Sequence, residues 1–153
     1  MIIEDSRIQG FKGSSDPPQN RRIKMLKNYK DLKVWQKSYE LCLEIYRITA
    51  KIPNQERYGI TSQIRRSVVS IPSNIAGGYG RKTTMGYILM RCISFGFVYE
   101  FETQRLFAGD LDLIEKGELG PLNKDIAEIE RMLKALIKSL ENKPLNPWTL
   151  FSN

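Results

Sequence analysis

Apolar side chains recur at steps of four and three residues in three stretches of this 153-residue chain. Because an α-helix has about 3.6 residues per turn, this spacing collects apolar groups on one helical face. The chain shows neither the alternation typical of strands nor an internal repeat, so the sequence predicts amphipathic helices. The three series are Val34, Ser38, Leu41, Ile45, Ile48 and Ile52; Ile60, Ile64, Val68, Ile71 and Ile75; and Leu122, Ile126, Ile129, Leu133, Leu136 and Leu140. Every residue of these series except Ser38 is apolar.

Capping residues and helix breakers set the expected boundaries of the first two helices. Asp31 is predicted to cap the first helix, which runs to about Lys51 before Pro53 stops it. The second helix is predicted over about 60–79, and the glycines that close it are Gly77, Gly78 and Gly80.

A proline lies inside the second helix. Pro72 has no amide hydrogen to donate to the Val68 carbonyl, and a kink is expected at this point. Three polar side chains nearby are predicted to satisfy the freed backbone groups, namely Ser70, Ser73 and Asn74.

The third helix is expected to begin at Thr83 or Thr84 and to end near Leu113. Between Tyr87 and Phe101 it has apolar residues on nearly every side, so it must be covered from more than one direction. Two explanations are open, a second subunit or an unusually central helix. Its inward stripe is predicted to consist of Ile88, Cys92, Phe95, Tyr99, Glu102 and Leu106.

Four helices joined by short loops predict an all-α fold, an up-down antiparallel four-helix bundle. The bundle is predicted over residues 25–143, with tails over 1–24 and 144–153. The first tail is expected to be flexible because residues 11–22 are rich in Gly, Ser, Pro and Asn. We predict that Met25 is the native start and that residues 1–24 are dispensable for folding.

The absence of histidine excludes several kinds of catalytic site. With no histidine in the chain, Ser-His and Cys-His nucleophile pairs and histidine metal ligands are excluded. Cys42 and Cys92 lie in apolar helical patterns and are predicted to be buried, reduced thiols. No apolar run approaches the roughly 20 residues that span a bilayer, and no signal-peptide pattern begins the chain. We therefore predict a cytoplasmic protein with no enzymatic activity, cofactor, metal site or membrane partner.

Positive charge is concentrated in one part of the chain. The net charge is +7, and residues 57–99 contain six Lys or Arg residues and no Asp or Glu. Uncompensated cations on an ordered element are typical of surfaces that bind phosphate. The predicted nucleic-acid contacts are Arg57, Arg65, Arg66, Arg81 and Lys82, with a further basic stripe of Lys30, Lys33 and Lys37.

The sequence is also consistent with roles for these charges that involve no nucleic acid. Arg65 or Arg66 would instead pair with Glu100 or Glu102, and the lysine stripe would be a plain solvated face. A carboxylate in an apolar stripe needs a partner, so Glu102 is predicted to pair with one of these two arginines. Two aromatic residues beside the lysine stripe would either stack on unpaired bases or anchor the end of the bundle, namely Tyr29 and Trp35.

Four segments carry a resemblance to a known family, and their order and spacing match it together. They are YKDLKVWQKSYEL (29–41), RYGITSQIRRSVVSIPSNIA (57–76), GYGR (78–81) and YEFETQ (99–104). The chain resembles the four helix bundle proteins, also called 23S rRNA-intervening-sequence proteins, a family related to the accessory variability determinants of diversity-generating retroelements. It differs in lacking the usual acid within Ala76-Gly77-Gly78 and in the more apolar Phe95-Gly96-Phe97.

The resemblance implies a four-helix up-down subunit, homopentameric rings in several members and no recognised enzymatic activity. In the retroelement branch it implies binding to nucleic acid and to a reverse transcriptase. We therefore expect a non-enzymatic, oligomeric helical bundle that binds RNA or single-stranded DNA through a basic patch. The alternative is a protein-interaction adaptor that binds no nucleic acid.

Overall fold

The computed structural model describes residues 28–81 and 83–141. Four α-helices account for most of this part of the chain, and it contains no strand. The predicted tails over 1–24 and 144–153 lie outside the described residues. The helices are α1 (Lys33–Thr49), α2 (Ile60–Tyr79), α3 (Thr84–Asp110) and α4 (Lys116–Glu141), so the predicted all-α fold with four helices is confirmed.

The helices close into a bundle in which each contacts its neighbours in sequence and α4 also contacts α1. Lys51 at the end of α1 pairs with Glu118 at the start of α4, whereas Lys37 near the start of α1 pairs with Glu128 further along α4. Helices α1 and α4 therefore run antiparallel to each other. No described helix is both long enough and apolar enough to cross a membrane.

The core is built by the apolar faces that the spacing predicted in α1, α2 and α4. All six members of the α1 series are buried. In α2 and α4 the innermost side chains are fully enclosed, which removes large apolar areas from water and supplies the main favourable term in folding. Completely buried residues of these two helices include Ile64, Val68, Ile71, Ile75, Ile129 and Leu133.

The prediction of which residues of α3 face inward is wrong. Cys92, Tyr99 and Leu106 are exposed, and the side chain of Glu102 is 35% exposed. A helix that is apolar all round offers no sequence signal for its rotation, so packing against α2 decides it. The inward face consists of Arg91, Ser94, Val98, Phe101, Arg105 and Ala108, all buried.

Close packing of α2 against α3 depends on small residues. The Ser94 hydroxyl donates a hydrogen bond of 3.2 Å to the Ile71 carbonyl of α2. Gly78 lies in the last turn of α2, and a Cβ atom there would lie 2.9 Å from the Cβ of Met90. This approach is closer than side-chain atoms tolerate, so the contact between α2 and α3 requires glycine at position 78.

The predicted cap of α1 is also wrong. Asp31 belongs to a short 3-10 turn, Tyr29–Asp31, where its carboxylate accepts a hydrogen bond of 3.2 Å from the Asn28 amide. Asn28 in turn accepts from the Lys30 amide, which completes a capping box for that turn. The residue before α1 is Leu32, which supplies no side-chain cap.

Helix α2 continues through Pro72, and the carbonyl that the proline leaves without its usual donor is satisfied from another helix. The Cys42 thiol of α1 donates to the Val68 carbonyl over 3.2 Å. The prediction that serine and asparagine side chains of α2 would do this is wrong, because they bond to carbonyls on the exposed side. Ser70, Ser73 and Asn74 donate to the carbonyls of Arg66, Val69 and Ser70, respectively.

This pairing predicts a coupling between positions 42 and 72. Cys42→Ala should destabilise the protein by about 1 kcal/mol more in the presence of Pro72 than in a Pro72→Ala background. In that background, the amide of the introduced alanine would supply the donor that the Val68 carbonyl lacks. Urea unfolding of the four proteins in this double-mutant cycle measures the difference. An equal cost of Cys42→Ala in both backgrounds would show that the thiol makes no net contribution at Val68.

The two cysteines occupy different environments. Cys42 is buried as predicted, and burial raises the pKa of its thiol to about 12. Cys92 was predicted to be buried but is exposed on α3, which follows from the rotation of that helix.

Candidate nucleic-acid interface

The predicted phosphate contacts are divided between the two ends of the bundle. Arg57 and Arg65 lie at the turn between α1 and α2, where the chain enters α2. Arg81 follows the other end of α2, and the Tyr29 ring contacts the Tyr79 ring there at 6.4 Å, which brings Lys30 to the same end. The two groups are about 30 Å apart along the 20 residues of α2. Lys82 lies outside the described residues.

Two of the predicted contacts are neutralised within the protein. Arg66 forms an ion pair with Glu100 of α3, which is the structural alternative that the sequence left open. Lys37 pairs with Glu128 at 2.5 Å and lies 3.9 Å from Asp125. The hydrogen bond between Lys37 and Glu128 raises the pKa of the lysine and lowers the pKa of the glutamate, so both groups are held in their charged forms.

Two further charged residues lie on α3, namely Arg91, which is buried, and Glu102, which is partly exposed. Arg91 is completely buried on the inward face of α3 and cannot contact an external phosphate. Glu102 pairs with Arg105 of its own helix at 3.4 Å, so the predicted partnership with Arg65 or Arg66 is wrong. Arg105 also donates to the Asn123 side chain of α4 at 2.7 Å.

The remaining predicted phosphate contacts within the described part of the chain form no ion pair with a described carboxylate. The Arg65 guanidinium lies over the Tyr46 ring, 4.6 Å from its centroid, and Arg57 lies 5.7 Å from the Tyr58 centroid. At the other end of the bundle, the Arg81 guanidinium donates to the Met90 sulfur at 3.8 Å. We call these the free cations, namely Lys30, Lys33, Arg57, Arg65 and Arg81.

Aromatic side chains connect the two groups of free cations along α1. The Trp35 ring contacts Tyr29 at 5.3 Å and stacks on Tyr39 at 5.1 Å with an interplanar angle of 19°. Tyr39 and Tyr46 are seven residues apart and are 48% and 45% exposed. We call these four residues the aromatic stripe, and the surface formed by the stripe and the free cations at its ends the α1–α2 face.

Trp35 and Tyr29 are partly buried and pack against the core, which agrees with the interpretation of Trp35 as an anchor at the end of the bundle. Sequence reasoning overlooked Tyr39 and Tyr46. The signal that identifies them is helical spacing, because residues 35, 39 and 46 are separated by four and seven positions and so share one side of a helix.

Acidic side chains lie on the opposite side of α1. The groove between α1 and α4 is lined by carboxylates that include Glu40, Glu44, Glu118 and Asp125. The groove between α1 and α2 has a volume of about 270 Å³ and is lined by aromatic, apolar and small residues without a carboxylate. An anion is therefore repelled from the α4 side of α1 and meets no described negative charge in the α1–α2 groove.

Comparisons with known proteins agree on the fold. The family model of the 23S rRNA-intervening sequence proteins matches residues 30–135. A crystal structure of a protein of unknown function from the S23 ribosomal protein family of Bacteroides thetaiotaomicron VPI-5482 is similar to this chain, with a TM-score of 0.64 and 24% sequence identity. The match covers 69% of this chain and 98% of that one. No curated protein matches this chain.

Proposed function

This chain belongs to the 23S rRNA-intervening sequence protein family, and from that membership and its free cations we propose that it is a non-enzymatic protein that binds single-stranded RNA or DNA. The proposed binding surface is the α1–α2 face. The observation that carries the proposal is the aromatic stripe, which has free cations at both ends and no carboxylate in its groove.

Stacking and phosphate contact have complementary roles in this proposal. Exposed rings such as Tyr39 and Tyr46 offer flat surfaces to unpaired bases, and each stacked base contributes about 1–3 kcal/mol. The cations contact the backbone phosphates and supply the part of the affinity that depends on salt. Bases in a duplex are already stacked on one another, so an aromatic surface of this kind favours a single strand over a duplex.

The number of free cations predicts the salt dependence of binding. If all five contact phosphates of one strand, the slope of log affinity against log salt is about −3.5, because each contact contributes about −0.7. Affinity for an unstructured oligonucleotide should then fall by about a hundredfold between about 50 and 200 mM salt. Fluorescence anisotropy with a labelled oligo(dT) or oligo(U) measures this slope.

A charge-matched pair of variants tests where the strand binds. The Arg57→Gln/Arg65→Gln/Arg81→Gln variant should reduce the slope by about 2, because three phosphate contacts are lost. The Arg47→Gln/Arg131→Gln/Lys138→Gln variant has the same net charge and should leave the slope near the wild-type value, since none of its substitutions lies among the free cations. Equal losses in both variants would mean that only net charge matters and would contradict the α1–α2 face.

We also propose that the protein self-associates through α3. The outward side of this helix has exposed residues at alternating steps of four and three, the spacing that allows two helices to pack along a seam. A closed ring of five copies, as the family resemblance implies, would repeat the α1–α2 face and raise avidity for a long strand. We call these residues the α3 stripe, namely Met85, Leu89, Cys92, Gly96, Tyr99, Thr103 and Leu106.

The second candidate function is an adaptor that binds another protein and no nucleic acid. The same exposed α3 stripe favours it, because large exposed apolar surfaces are typical of protein interaction sites. A wild-type protein that is a single chain in solution and binds no oligonucleotide at low salt would support the adaptor and contradict the nucleic-acid proposal.

A further inference from the structure

A small polar pocket lies where α1 turns into α2, at one end of the α1–α2 face. Its volume is about 210 Å³, and its polar lining residues are Thr49, Asn54, Arg57, Thr61 and Arg65. Two of these side chains are cationic and none is acidic. Sites for whole drug-sized ligands occupy about 300–1,000 Å³, so this pocket suits a single small group rather than a nucleoside.

The Arg65 side chain is held in position by two contacts. Its Nε donates a hydrogen bond of 2.9 Å to the Thr49 hydroxyl, and its guanidinium lies over the Tyr46 ring. The Thr49 hydroxyl itself donates to the Ile45 carbonyl at 2.7 Å, so its one hydrogen is not available to a ligand. The two terminal nitrogens of Arg65 have no hydrogen-bond partner among the described residues, and a guanidinium with unused N–H groups on both terminal nitrogens matches the geometry of a phosphate.

A second, independent observation is a buried hydroxyl without a partner. Thr61 lines the pocket and is 5% exposed, and its Oγ1 has no hydrogen-bond partner in the described structure. Buried polar groups in folded proteins are normally paired, so an unpaired hydroxyl beside a pocket points to a missing ligand.

The backbone around the pocket also favours an anion. Thr61 lies in the first turn of α2, which begins after Gly59 without a side-chain cap, and the positive end of the helix dipole attracts negative charge. At this end of α2 the Glu56 carboxylate accepts from the Ile60 amide at 3.4 Å. Glu56 is not among the residues that line the pocket.

We propose that this pocket binds one phosphate group, with Arg57, Arg65 and the Thr61 hydroxyl as donors. The inference rests on the proposed function, because a bound nucleic-acid strand would be the natural source of the phosphate group. That phosphate is either a terminal monoester or an internal diester, and inorganic phosphate offers the same oxygen atoms. The two arginines compensate its charge, and the hydroxyl gains the partner it lacks.

Inorganic phosphate titrated into the full chain in chloride buffer provides the direct test, observed by amide chemical shifts. Wild-type protein should show saturable shifts centred on residues 57–65. Thr61→Val and Arg65→Gln should each weaken phosphate binding by about tenfold or more, because each removes a hydrogen bond to a charged group. Arg131→Gln on α4 removes one positive charge away from the pocket and should leave phosphate binding unchanged.

Thermal unfolding in chloride buffer separates a binding role for Thr61 from a structural one. Because its hydroxyl has no described partner, Thr61→Val should keep or raise the melting temperature while phosphate affinity falls. A lower melting temperature with unchanged phosphate affinity would show a structural role and overturn the pocket. Thr61→Val also keeps the test decisive if Arg65→Gln disturbs the Thr49 contact.

Oligonucleotides distinguish the source of the phosphate and separate this inference from the proposed function. Stronger binding of a 5′-phosphorylated strand than of its 5′-hydroxyl counterpart, lost in Thr61→Val, identifies a terminal monoester. Equal binding of both strands, weakened alike in Thr61→Val, identifies an internal diester. Salt-dependent strand binding that neither variant changes would overturn the pocket and leave the proposed function standing. Saturable phosphate binding without strand binding would support the pocket and contradict the proposed function.

Discussion

The Leu89→Glu/Tyr99→Glu variant is expected to be a single 17.7 kDa chain in solution, whereas the wild type is expected to form a larger assembly. Leu89 is 56% exposed and Tyr99 is 45% exposed in the isolated chain, so the substitutions should leave the fold of one chain intact. In an assembly through the α3 stripe, each glutamate would be buried against a neighbouring copy at a cost of several kcal/mol. Light scattering after size-exclusion chromatography measures the mass.

A control variant has the same kind of substitution, two exposed apolar residues changed to glutamate, outside α3. Leu43→Glu/Tyr58→Glu also replaces two exposed apolar residues, on α1 and on the turn before α2, and should keep the wild-type mass. Self-association through α3 would be refuted by a wild-type mass of one chain, or by a Leu89→Glu/Tyr99→Glu variant that retains the mass of the assembly.

The thiol of Cys92 gives a second measurement of the same surface. Cys92 lies on the α3 stripe between Leu89 and Tyr99 and is exposed in the single chain. Its modification by a maleimide should be slow in the assembly and fast in the monomeric variant. Cys42 should stay unreactive in both, because burial raises the pKa of its thiol to about 12 and keeps it protonated.

The second large effect concerns the buried arginine on the inward face of α3. Arg91→Met is expected to stabilise the protein by about 1–4 kcal/mol, because a buried charge is replaced by an apolar side chain of similar length. Arg91 is 0% exposed, and its Nε and Nη2 have no hydrogen-bond partner in the described structure. Its remaining contacts are a long hydrogen bond of 3.5 Å to the Tyr87 carbonyl and the Tyr87 ring, 3.3 Å from the guanidinium carbon to the centroid.

The pH dependence of this effect has a definite sign. Burial lowers the pKa of Arg91 to about 10 in the folded protein, below its value in the unfolded chain. The unfolded chain therefore binds more protons above about pH 10, and the penalty for burying the charge is relieved as pH rises there. The advantage of Arg91→Met over the wild type should be complete below pH 10 and should shrink above it.

Arg105 offers a matched control on the same face of the same helix. It is also buried, but it is paired with Glu102 and donates to Asn123 of α4. Arg105→Met should destabilise the protein by about 1–3 kcal/mol, because the ion pair with Glu102 and the charge-assisted hydrogen bond to Asn123 of α4 are both lost. Urea unfolding at neutral pH compares the two variants, and a loss of stability in Arg91→Met would show that the Tyr87 contacts outweigh the cost of burial.

Much of the fold was predictable because helical spacing is a local property of the chain. The α2 boundaries at Ile60 and Tyr79 and the inward faces of α1, α2 and α4 all follow from apolar residues at steps of four and three. The same reasoning failed for α3, whose residues are apolar on both the inward and the outward side. Only contact with α2, through Ser94 and Gly78, decides which side is buried.

The candidate site was predictable only in part, for a related reason. Sequence reasoning identified the acid-free stretch, but charge compensation depends on carboxylates that are distant in sequence. Arg66 forms an ion pair with Glu100, which lies 34 residues further along the chain, and Lys37 pairs with Glu128 of α4. Arg65 instead contacts Thr49 and Tyr46 of α1. Which cations stay free is therefore a property of the packed helices.

The amino-acid sequence by itself determined the number of helices, the approximate limits of α1, α2 and α3 and the buried faces of α1, α2 and α4, because backbone hydrogen bonding and side-chain periodicity act within a few residues. The rotation of α3, the donor to the Val68 carbonyl, the pairing of each charge and the division of the free cations between the two ends of the bundle were decided by tertiary structure. Each of these depends on side chains brought together from different helices, and no local pattern encodes their distance.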